Sequence, residues 1–452
     1  MTVKRSIYSD RCWLDGKLQP ATICIENGLI TDIRYHKTDG ADDAGDHILM
    51  PGVIDAHAHI NEPGRTDWEG FDTATQAAAA GGITTIVDMP LNASPVTTTV
   101  KAFDEKLAAS KNKLHVNVGF YGGLIPGNAP HHAGQNDLEE LMKAGVLGIK
   151  CFLTHSGIDE FPNVNEKEIA AAMPLIAKYE LPLLAHCEIF KKAIDNKFSD
   201  FPNSYRYYLA SRPKQWENDA VDLMIQLCRK HKCATHIVHV SSAEALIKIK
   251  GAKEEGLPLT AETCPHYIYF NAEDIPDSNS LYKCAPPIRE KENNDLLKEA
   301  LVSGVLDFIA TDHSPAPPDI KELASGNLQK AWGGIAGLQF LLPAGWTAMK
   351  EKISIEKFIP LLTEHPATFL KAGNRKGKLQ VGYDADLVIW NPEEEFEVKP
   401  GDILHRHNCS PYNGQQLTGT VQQTIVNGIT VYQNKKIVQK NAGQWLLKKY
   451  RK

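Results

Sequence analysis

Hydrophobic and polar positions alternate in short segments near both ends of the chain. The segment ATICIENGLITDIRYH alternates on both sides of Asn27-Gly28, and an Asn-Gly pair between alternating segments is the strongest short signal for a β-hairpin. The segment GTVQQTIVNGITVYQNKKIV repeats this pattern around a second Asn-Gly pair and shows no helical period. We therefore predict that residues 1–50 and 376–452 form strands that meet in a small β-sandwich.

Between these ends the pattern changes to apolar runs that alternate with amphipathic stretches. Runs such as TTIVDMP, LPLLAHCE and VLDFIATDHS are separated by stretches of helical period such as EIAAAMPLIAKYE. Repeated strand-helix units predict parallel strands covered by helices, and seven or eight such units favour a closed barrel over an open sheet. The predicted fold class is therefore α/β, with a (β/α)8 TIM barrel over residues 51–375 beside the small β-sandwich.

Polar residues of metal-ligand type follow the apolar runs. The stretch VIDAHAHINEPG places His57 and His59 two residues apart, so both side chains point to the same side of a strand and can share one ion. Further candidates end four other apolar runs: Lys150, His186, His239 and Asp312. Each alone has an ordinary structural explanation, but the catalytic groups of a TIM barrel collect at the carboxyl ends of its strands. Their recurrence therefore predicts a metal centre at that end.

The number of these candidates predicts how many ions they hold. One catalytic zinc takes about three protein ligands and keeps an open position, whereas four histidines, an aspartate and a lysine exceed that number. Two ions roughly 3.5–4 Å apart would accommodate them if an anionic group bridged the pair. The ammonium group of Lys150 cannot bind a cation, but its neutral amine, which burial favours, can add carbon dioxide and become a carbamate with two oxygen ligands.

Composition and charge disfavour several classes of function. The 452 residues are 42% hydrophobic and 23% charged, with a formal net charge of -6, which is typical of a globular enzyme and disfavours a nucleic-acid or membrane-surface partner. We expect a cytoplasmic protein, because the first residues lack a secretory pattern and no apolar run approaches about 20 residues. Nine cysteines without a C-x-x-C pair predict reduced thiols.

The motifs DAHAH, GIKCF, LAHCE, IVHVSS and ATDHSP together resemble the amidohydrolase superfamily, and within it the cyclic amidohydrolases. GYDADLVIWNP similarly resembles the β-sandwich domain of that family, so the resemblance covers nearly the whole chain. It implies two divalent metal ions, with zinc first and manganese, cobalt or iron as alternatives, and carbon dioxide as the source of a carboxylated lysine. It also implies a homotetramer that acts on a small molecule.

The resemblance assigns a role to each candidate ligand. One ion would be held by His57, His59 and Asp312, the other by His186 and His239, and both by Lys150 as N6-carboxylysine. A hydroxide between the ions would attack a ring amide, because metals lower the pKa of bound water. Asp312 would be the catalytic residue that accepts the proton and returns it to the leaving nitrogen. His236, three residues before His239, has the opposite strand parity and is expected to be structural.

Position 61 separates the members of this family. Dihydroorotases generally carry an arginine there that clamps a substrate carboxylate, whereas this chain has Asn61, whose amide cannot neutralise an anion. The segments HINEPGRTDWEGF, MPLNASP, KCAPPIR, ATDHSPAPPDIK and AWGGIAGLQ instead resemble the allantoinase subfamily. That resemblance implies hydrolytic ring opening of allantoin, a neutral hydantoin with a ureido arm, to allantoate in purine degradation.

Alternatives to this function stay open. Hydantoinases and dihydropyrimidinases carry a tyrosine shortly after the bridging lysine, and its absence from KCFLTHSG counts against both. Some relatives of dihydropyrimidinases have lost metal ligands and serve as scaffolds rather than enzymes. The presence of all six candidate ligands disfavours that second reading.

The substrate contacts are predicted from the loops that follow the strands. Asn92 lies in the loop after IVDMP, and a neutral polar ligand needs amide partners, although an asparagine in a turn is the ordinary alternative. The remaining candidates lie beside metal ligands or on a strand-end loop: Asn61, Ser314, Ala285 and Pro286. The long polar segment 155–166 fits either a lid over the pocket or a surface loop.

Overall fold

The computed structural model describes residues 4–130, 137–190 and 197–449. The chain begins with strands only, and the first five are β1 (Lys4–Leu14), β2 (Lys17–Glu26), β3 (Leu29–Arg34), β4 (Asp42–Asp43) and β5 (Ile48–Pro51). β1, β2 and β3 pair in antiparallel order. The predicted N-terminal hairpin is formed by β2 and β3.

Strands and helices then alternate along the central part of the chain. In order they are β6 (Val53–Ala58), α1 (Phe71–Ala80), β7 (Ile83–Asp88), α2 (Val100–Ser110), β8 (Asn117–Phe120), β9 (Gly122–Gly123), α3 (Asp137–Lys143), β10 (Ile149–Phe152), α4 (Glu166–Lys178), β11 (Leu183–His186), α5 (Tyr205–Ser211), α6 (Lys214–His231), β12 (Thr235–Ile237), α7 (Leu246–Glu254), β13 (Leu259–Thr263), α8 (Pro265–Tyr269), α9 (Lys291–Val302), β14 (Phe308–Ile309), α10 (Leu341–Met349), α11 (Ile355–Phe358) and α12 (Glu364–Phe369). The run TTIVDMP forms most of β7, and EIAAAMPLIAKYE forms most of α4.

The strands from β6 to β14 form a closed barrel. Neighbouring strands pair in parallel around it, and β8 and β9 are one barrel strand interrupted at Tyr121. The barrel closes where Ala58, at the end of β6, bridges His313, just beyond β14. Eight parallel strand positions with intervening helices confirm the predicted TIM barrel.

Apolar side chains fill the barrel below the polar ends of its strands. The buried side chains of Ile54, Val87, Leu184, Val238 and Phe308 belong to one cluster and come from, or directly follow, five different strands. A barrel interior filled in this way is a core rather than a channel.

The chain ends in β15 (Leu387–Glu397), β16 (Gln416–Val426), β17 (Ile429–Gln433), β18 (Lys436–Ile437) and β19 (Trp445–Leu446). β15 pairs antiparallel with β5, so both ends of the chain join one nine-stranded sheet of order β18-β17-β16-β15-β5-β1-β2-β3, with β4 beside β1. This confirms a small β domain built from the two chain ends. β19 leaves that sheet and pairs in parallel with β8 of the barrel. The boundaries at residues 50/51 and 375/376 stay a prediction.

Two Asn-Gly turns lie against each other in the β domain. Asn27 and Gly28 have φ angles of 52° and 79°, and Asn427 and Gly428 have 50° and 80°, so each pair has the left-handed backbone of a type I′ hairpin turn. A Cβ built on Gly28 would lie 3.0 Å from the carbonyl oxygen of Asn427. Backbone angle and close contact both require glycine there. No helix within the described ranges is long and apolar enough to cross a membrane.

We predict that Gly28→Ala lowers the free energy of unfolding by about 1–2 kcal/mol, because a side chain at positive φ is strained and its Cβ would crowd the second turn. The measurement is urea denaturation followed by circular dichroism. Gly251→Ala in α7 is the matched control, since a Cβ there meets nothing within 4 Å and should raise stability by roughly 0.5–1 kcal/mol. Equal stability of Gly28→Ala and the unsubstituted protein would contradict the prediction.

Candidate metal centre

Six polar side chains meet at the carboxyl end of the barrel. They come from β6 and the residues after it, from β10, from the end of β11, and from segments just past β12 and β14: His57, His59, Lys150, His186, His239 and Asp312. All six are at most 8% exposed, and all line one cavity. Parallel strands bring them together, because the same end of every strand faces the same mouth of the barrel.

His57, His59 and Asp312 converge on one point. Nε2 of His57 lies 3.1 Å and Nε2 of His59 lies 3.3 Å from Oδ1 of Asp312. Behind them, Nδ1 of His59 lies 2.8 Å from the carbonyl oxygen of Leu91. Nδ1 of His57 lies 2.5 Å from Oε1 of Glu262. With both Nδ1 atoms donating, both Nε2 lone pairs face Asp312, which is the arrangement that ligation of a divalent cation requires.

The charges of these three groups depend on one another. Burial opposes ionisation of Asp312, but His57 and His59 outweigh it and hold the pKa of this carboxyl well below its usual value. Burial likewise lowers the pKa of His57, but Asp312 and Glu262 outweigh it and raise that pKa to about 9. A proton and a cation compete for Nε2 of His57, so cation binding releases a proton and strengthens as the pH rises.

His186 and His239 form a second convergent pair. Nδ1 of His186 lies 3.0 Å from Nε2 of His239, and the remaining Nδ1 of His239 is buried without a hydrogen-bond partner. Nε2 of His186 lies 2.9 Å from Oε2 of Glu188. Arg212 in turn donates to Glu188 from Nε at 3.1 Å and from Nη2 at 2.6 Å. Two imidazole nitrogens this close suit a shared cation better than a single hydrogen bond.

Lys150 lines the same cavity as both groups of histidines. Among the described residues its buried Nζ has no hydrogen-bond partner, and it lies 4.8 Å from the centre of the Phe152 ring. Burial lowers the pKa of Lys150 to about 8, because an ammonium ion in this environment lacks solvation. The neutral amine that results can react with carbon dioxide, so the donor set fits two cations with an anionic bridge.

Sequence reasoning missed the groups behind these ligands. Glu262, in the middle of β13, contacts His57 with Oε1 and accepts from Nε2 of His236 with Oε2 at 3.1 Å. Nδ1 of His236 lies 2.8 Å from Oγ1 of Thr260, and the His236 ring stacks on Phe308. His236 therefore acts behind a candidate ligand rather than lining the cavity. The available signal was a glutamate inside the strand LTAET, where an unpaired charge would be costly.

The predicted substrate contacts divide into two groups. Asn92, Ala285 and Ser314 line the same cavity as the candidate ligands. Asn61 does not line it, because Oδ1 of Asn61 accepts from Asn92 at 3.2 Å and its Nδ2 donates to the carbonyl oxygen of Pro315. Pro286 is also absent from the lining, and its carbonyl oxygen accepts from the hydroxyl of Tyr267. Asn61 therefore orients Asn92, and both prolines serve as backbone acceptors.

The lining also includes residues that sequence reasoning did not single out: Leu91, Phe152, His155, Ser156, Arg212, Trp332 and Gly333. The cavity has a volume of about 70 Å³, whereas pockets that bury a small ligand usually have roughly 300–1,000 Å³. Movement of a lining segment would enlarge the cavity for a substrate. The segment around His155 and Ser156 belongs to the predicted lid, residues 155–166.

Polar contacts tie the tip of segment 155–166 to two other loops. Oε2 of Glu160 lies 2.6 Å from Nη2 of Arg65, and Oε1 accepts from the hydroxyl of Ser94 at 3.0 Å. Arg65 also donates to the carbonyl oxygen of Asn92 at 2.5 Å. Glu160 therefore joins the predicted lid to the loop that carries a predicted substrate contact.

We predict that Glu160→Gln frees this tip, because it removes the ion pair with Arg65. Amide hydrogen exchange of residues 155–160 should become roughly two- to fivefold faster, since a partly exposed pair contributes up to about 1 kcal/mol. Asp159→Asn is the control, because Asp159 is exposed and, among the described residues, its carboxylate pairs only with His155 of the same segment. Unchanged exchange in Glu160→Gln, or an equal effect in both variants, would show that the pair does not hold the tip.

The fold and the convergent ligands define a class of protein, and comparison with known proteins agrees. Residues 48–431 match the model of the amidohydrolase family. The chain belongs to this family, which together with the group of His57, His59 and Asp312 supports a divalent metal cofactor and a hydrolase that acts on a cyclic amide.

Relatives within the family carry a more specific name. A probable allantoinase of Oryza sativa subsp. japonica is 42% identical over 98% of this chain and 90% of its own length. An allantoinase of Streptomyces avermitilis is 42% identical over 91% of both chains, and one of Saccharomyces cerevisiae is 38% identical over 98% of both. Among solved structures, L-hydantoinase from Arthrobacter aurescens matches with a TM-score of 0.91 and 29% identity, covering 99% of this chain and 100% of that one.

Proposed function

We propose that this protein is an allantoinase, which opens the ring of allantoin by hydrolysis to give allantoate. The observation that carries the proposal is the amide of Asn92 at the cavity, with Asn61 behind it, where a carboxylate-binding member of the family needs a free cation. Arg212 also lines the cavity, but Glu188 binds its guanidinium through two hydrogen bonds. The similarity to proteins named allantoinase over nearly the whole chain supports the same substrate.

We propose that the cavity holds two divalent cations, zinc in the first place, with manganese, cobalt or iron as alternatives of similar ligand chemistry. One cation would be bound by His57, His59 and Asp312, the other by His186 and His239, and both by Lys150 after its amine has added carbon dioxide. The bound ions would supply an acidified water and polarise the amide carbonyl.

The chain's own residues then handle the proton and the substrate. Asp312, which is ionised and buried beside two histidines, accepts the proton of the attacking water and returns it to the ring nitrogen as the C–N bond breaks. Asn92 presents its amide to the neutral ring, and Asn61 keeps that amide in place. Water adds its oxygen to the carbonyl carbon and one proton to nitrogen, and its second proton is released to solvent, so the products are a carboxylate and a free ureido group.

We predict that Lys150→Ala loses most bound metal and activity, because the bridge between the two cations is gone. Short carboxylic acids should restore part of both by supplying two bridging oxygens. Metal content by atomic absorption and turnover of allantoin are the two measurements. A Lys150→Ala protein that kept two ions and full activity without added acid would remove the bridging role.

Asp312→Asn is the matched control for this rescue. It keeps Lys150 and an oxygen near the first cation but lacks the base, so turnover should fall by at least the roughly 10²–10⁴-fold typical of general acid-base catalysis, and metal content should fall less. Carboxylic acids should not restore its activity. Rescue of both variants by the same acid would mean that the acid acts elsewhere.

The substrate is tested with allantoin, hydantoin, dihydrouracil and dihydroorotate side by side on metal-loaded protein. We expect kcat/KM for allantoin to exceed that for dihydroorotate by roughly 10⁴ or more, since an unpaired carboxylate in a buried polar site is strongly rejected. Hydantoin and dihydrouracil lack the ureido arm and should react more slowly. Faster opening of either ring would favour a hydantoinase, the second candidate that the solved neighbour suggests.

We further propose a homotetramer in the cytoplasm, on the family resemblance and the sequence pattern described above. Light scattering coupled to size-exclusion chromatography should then give a mass four times the 49.9 kDa of one chain.

A further inference from the structure

We infer that the two halves of the metal centre bind their cations with unequal affinity, and that Glu262 makes the half formed by His57, His59 and Asp312 the tighter one. This inference rests on the proposed two-cation centre. Each half contains two histidines and shares Lys150, and the first half also contains Asp312. A further difference lies in the buried side chains behind the histidines.

The carboxylate behind the first half, Glu262, contacts the candidate ligand His57. Glu262 is 1% exposed, and among the described residues its two oxygens are hydrogen-bonded only to imidazole groups, at Nδ1 of His57 and Nε2 of His236. The hydroxyl of Thr260 lies 2.8 Å from Nδ1 of His236, so this ring can donate to Glu262 from Nε2 without carrying a charge. Within the described residues no lysine or arginine forms an ion pair with Glu262. Its negative charge therefore strengthens His57 as a ligand and attracts the cation.

Behind the second half, the corresponding carboxylate is neutralised. Glu188 is also 1% exposed and contacts Nε2 of His186, but Arg212 donates to both of its oxygens. A bidentate guanidinium is a strong and permanent partner. The net negative charge beside His186 is therefore smaller than the net negative charge beside His57. Arg212 also lines the cavity itself, so its positive charge opposes a cation there.

The ligands add to the same imbalance. Asp312 lies against both histidines of the first half, whereas His186 and His239 contribute no charge of their own. The first half thus has two carboxylates, and the second has one carboxylate paired with one guanidinium. At limiting metal the protein should therefore hold a single cation in the first half, and it should load the second half only at higher free concentration.

The test measures binding of zinc rather than activity. Metal-free full-length protein in bicarbonate buffer is dialysed against zinc held at fixed free concentrations by a chelator, and bound zinc is counted. We expect two classes of site that differ in affinity by about 10- to 100-fold, the range by which outer partners of metal-ligating histidines change affinity. Two zinc sites of equal affinity would overturn the inference while leaving the two-cation centre intact. Binding of no zinc would instead overturn the proposed centre.

Two isosteric variants assign the classes. Glu262→Gln should weaken the tight class by about 10- to 100-fold and leave the weak class within about twofold. Glu188→Gln is the matched control, because it changes the same kind of buried carboxylate behind the other half and should leave the tight class unchanged. A tight class unaffected by Glu262→Gln, or weakened only by Glu188→Gln, would contradict the role of Glu262.

Two further variants keep the inference testable if either glutamine variant fails to fold. His59→Ala should retain one zinc at the weak affinity, and His239→Ala should retain one zinc at the tight affinity. Circular dichroism establishes that each variant is folded before dialysis. Tighter retention by His59→Ala than by His239→Ala would reverse the order of the two halves and overturn the inference.

Discussion

The contact that closes the barrel, between β6 and the segment after β14, is the one on which the candidate centre depends. The amide of His59 donates to the carbonyl oxygen of His313 at 2.7 Å. Asp55 in β6 accepts from the amide of Thr311 at 3.1 Å across 256 residues of sequence, and also from its hydroxyl. These bonds place Asp312 opposite His57, which lies in β6, and His59, which follows that strand. Ligands held by closed backbone keep their geometry at little entropic cost.

Buried charge is the second constraint, and partners from helices or from the segments beside them satisfy it at two carboxylates. Asp88 pairs with Lys106 at 2.5 Å although both are almost fully buried, and Glu188 pairs with Arg212. An isolated buried charge would cost several kcal/mol, so these pairs allow a highly polar barrel mouth beside an apolar interior. The amine of Lys150 breaks this rule. An unpaired titratable group at the centre of otherwise matched charges is typical of a functional site.

The loops decide what the barrel mouth can accept. Asn61 has a φ of 67°, in the left-handed region that asparagine tolerates better than most residues. This turns its amide toward Asn92 rather than toward the cavity. Arg65 then joins the Asn92 backbone to Glu160, so the polar wall of the pocket and the segment above it are held by one guanidinium. Substrate preference and access are therefore linked through a few side chains outside the ligands.

The sequence by itself determined the features that depend on local period. Alternation around Asn-Gly pairs predicted the hairpins, because a type I′ turn needs two residues that tolerate positive φ. The spacing of His57 and His59, together with polar residues after successive apolar runs, predicted the ligands, because strand side chains alternate and parallel strands share one carboxyl end.

Only the tertiary structure decided which distant groups meet. The contacts of Glu262 with His57 and of Arg212 with Glu188 depend on how distant strands and helices are arranged in the barrel. No local sequence pattern predicts these contacts. The orientation of the Asn61 amide toward Asn92 and the pairing of β19 with β8 likewise depend on long-range contacts. Hydrophobic period specifies where a strand or helix forms and which side it buries, whereas the partner of a buried charge is selected by the closed fold, where an unpaired charge would be costly.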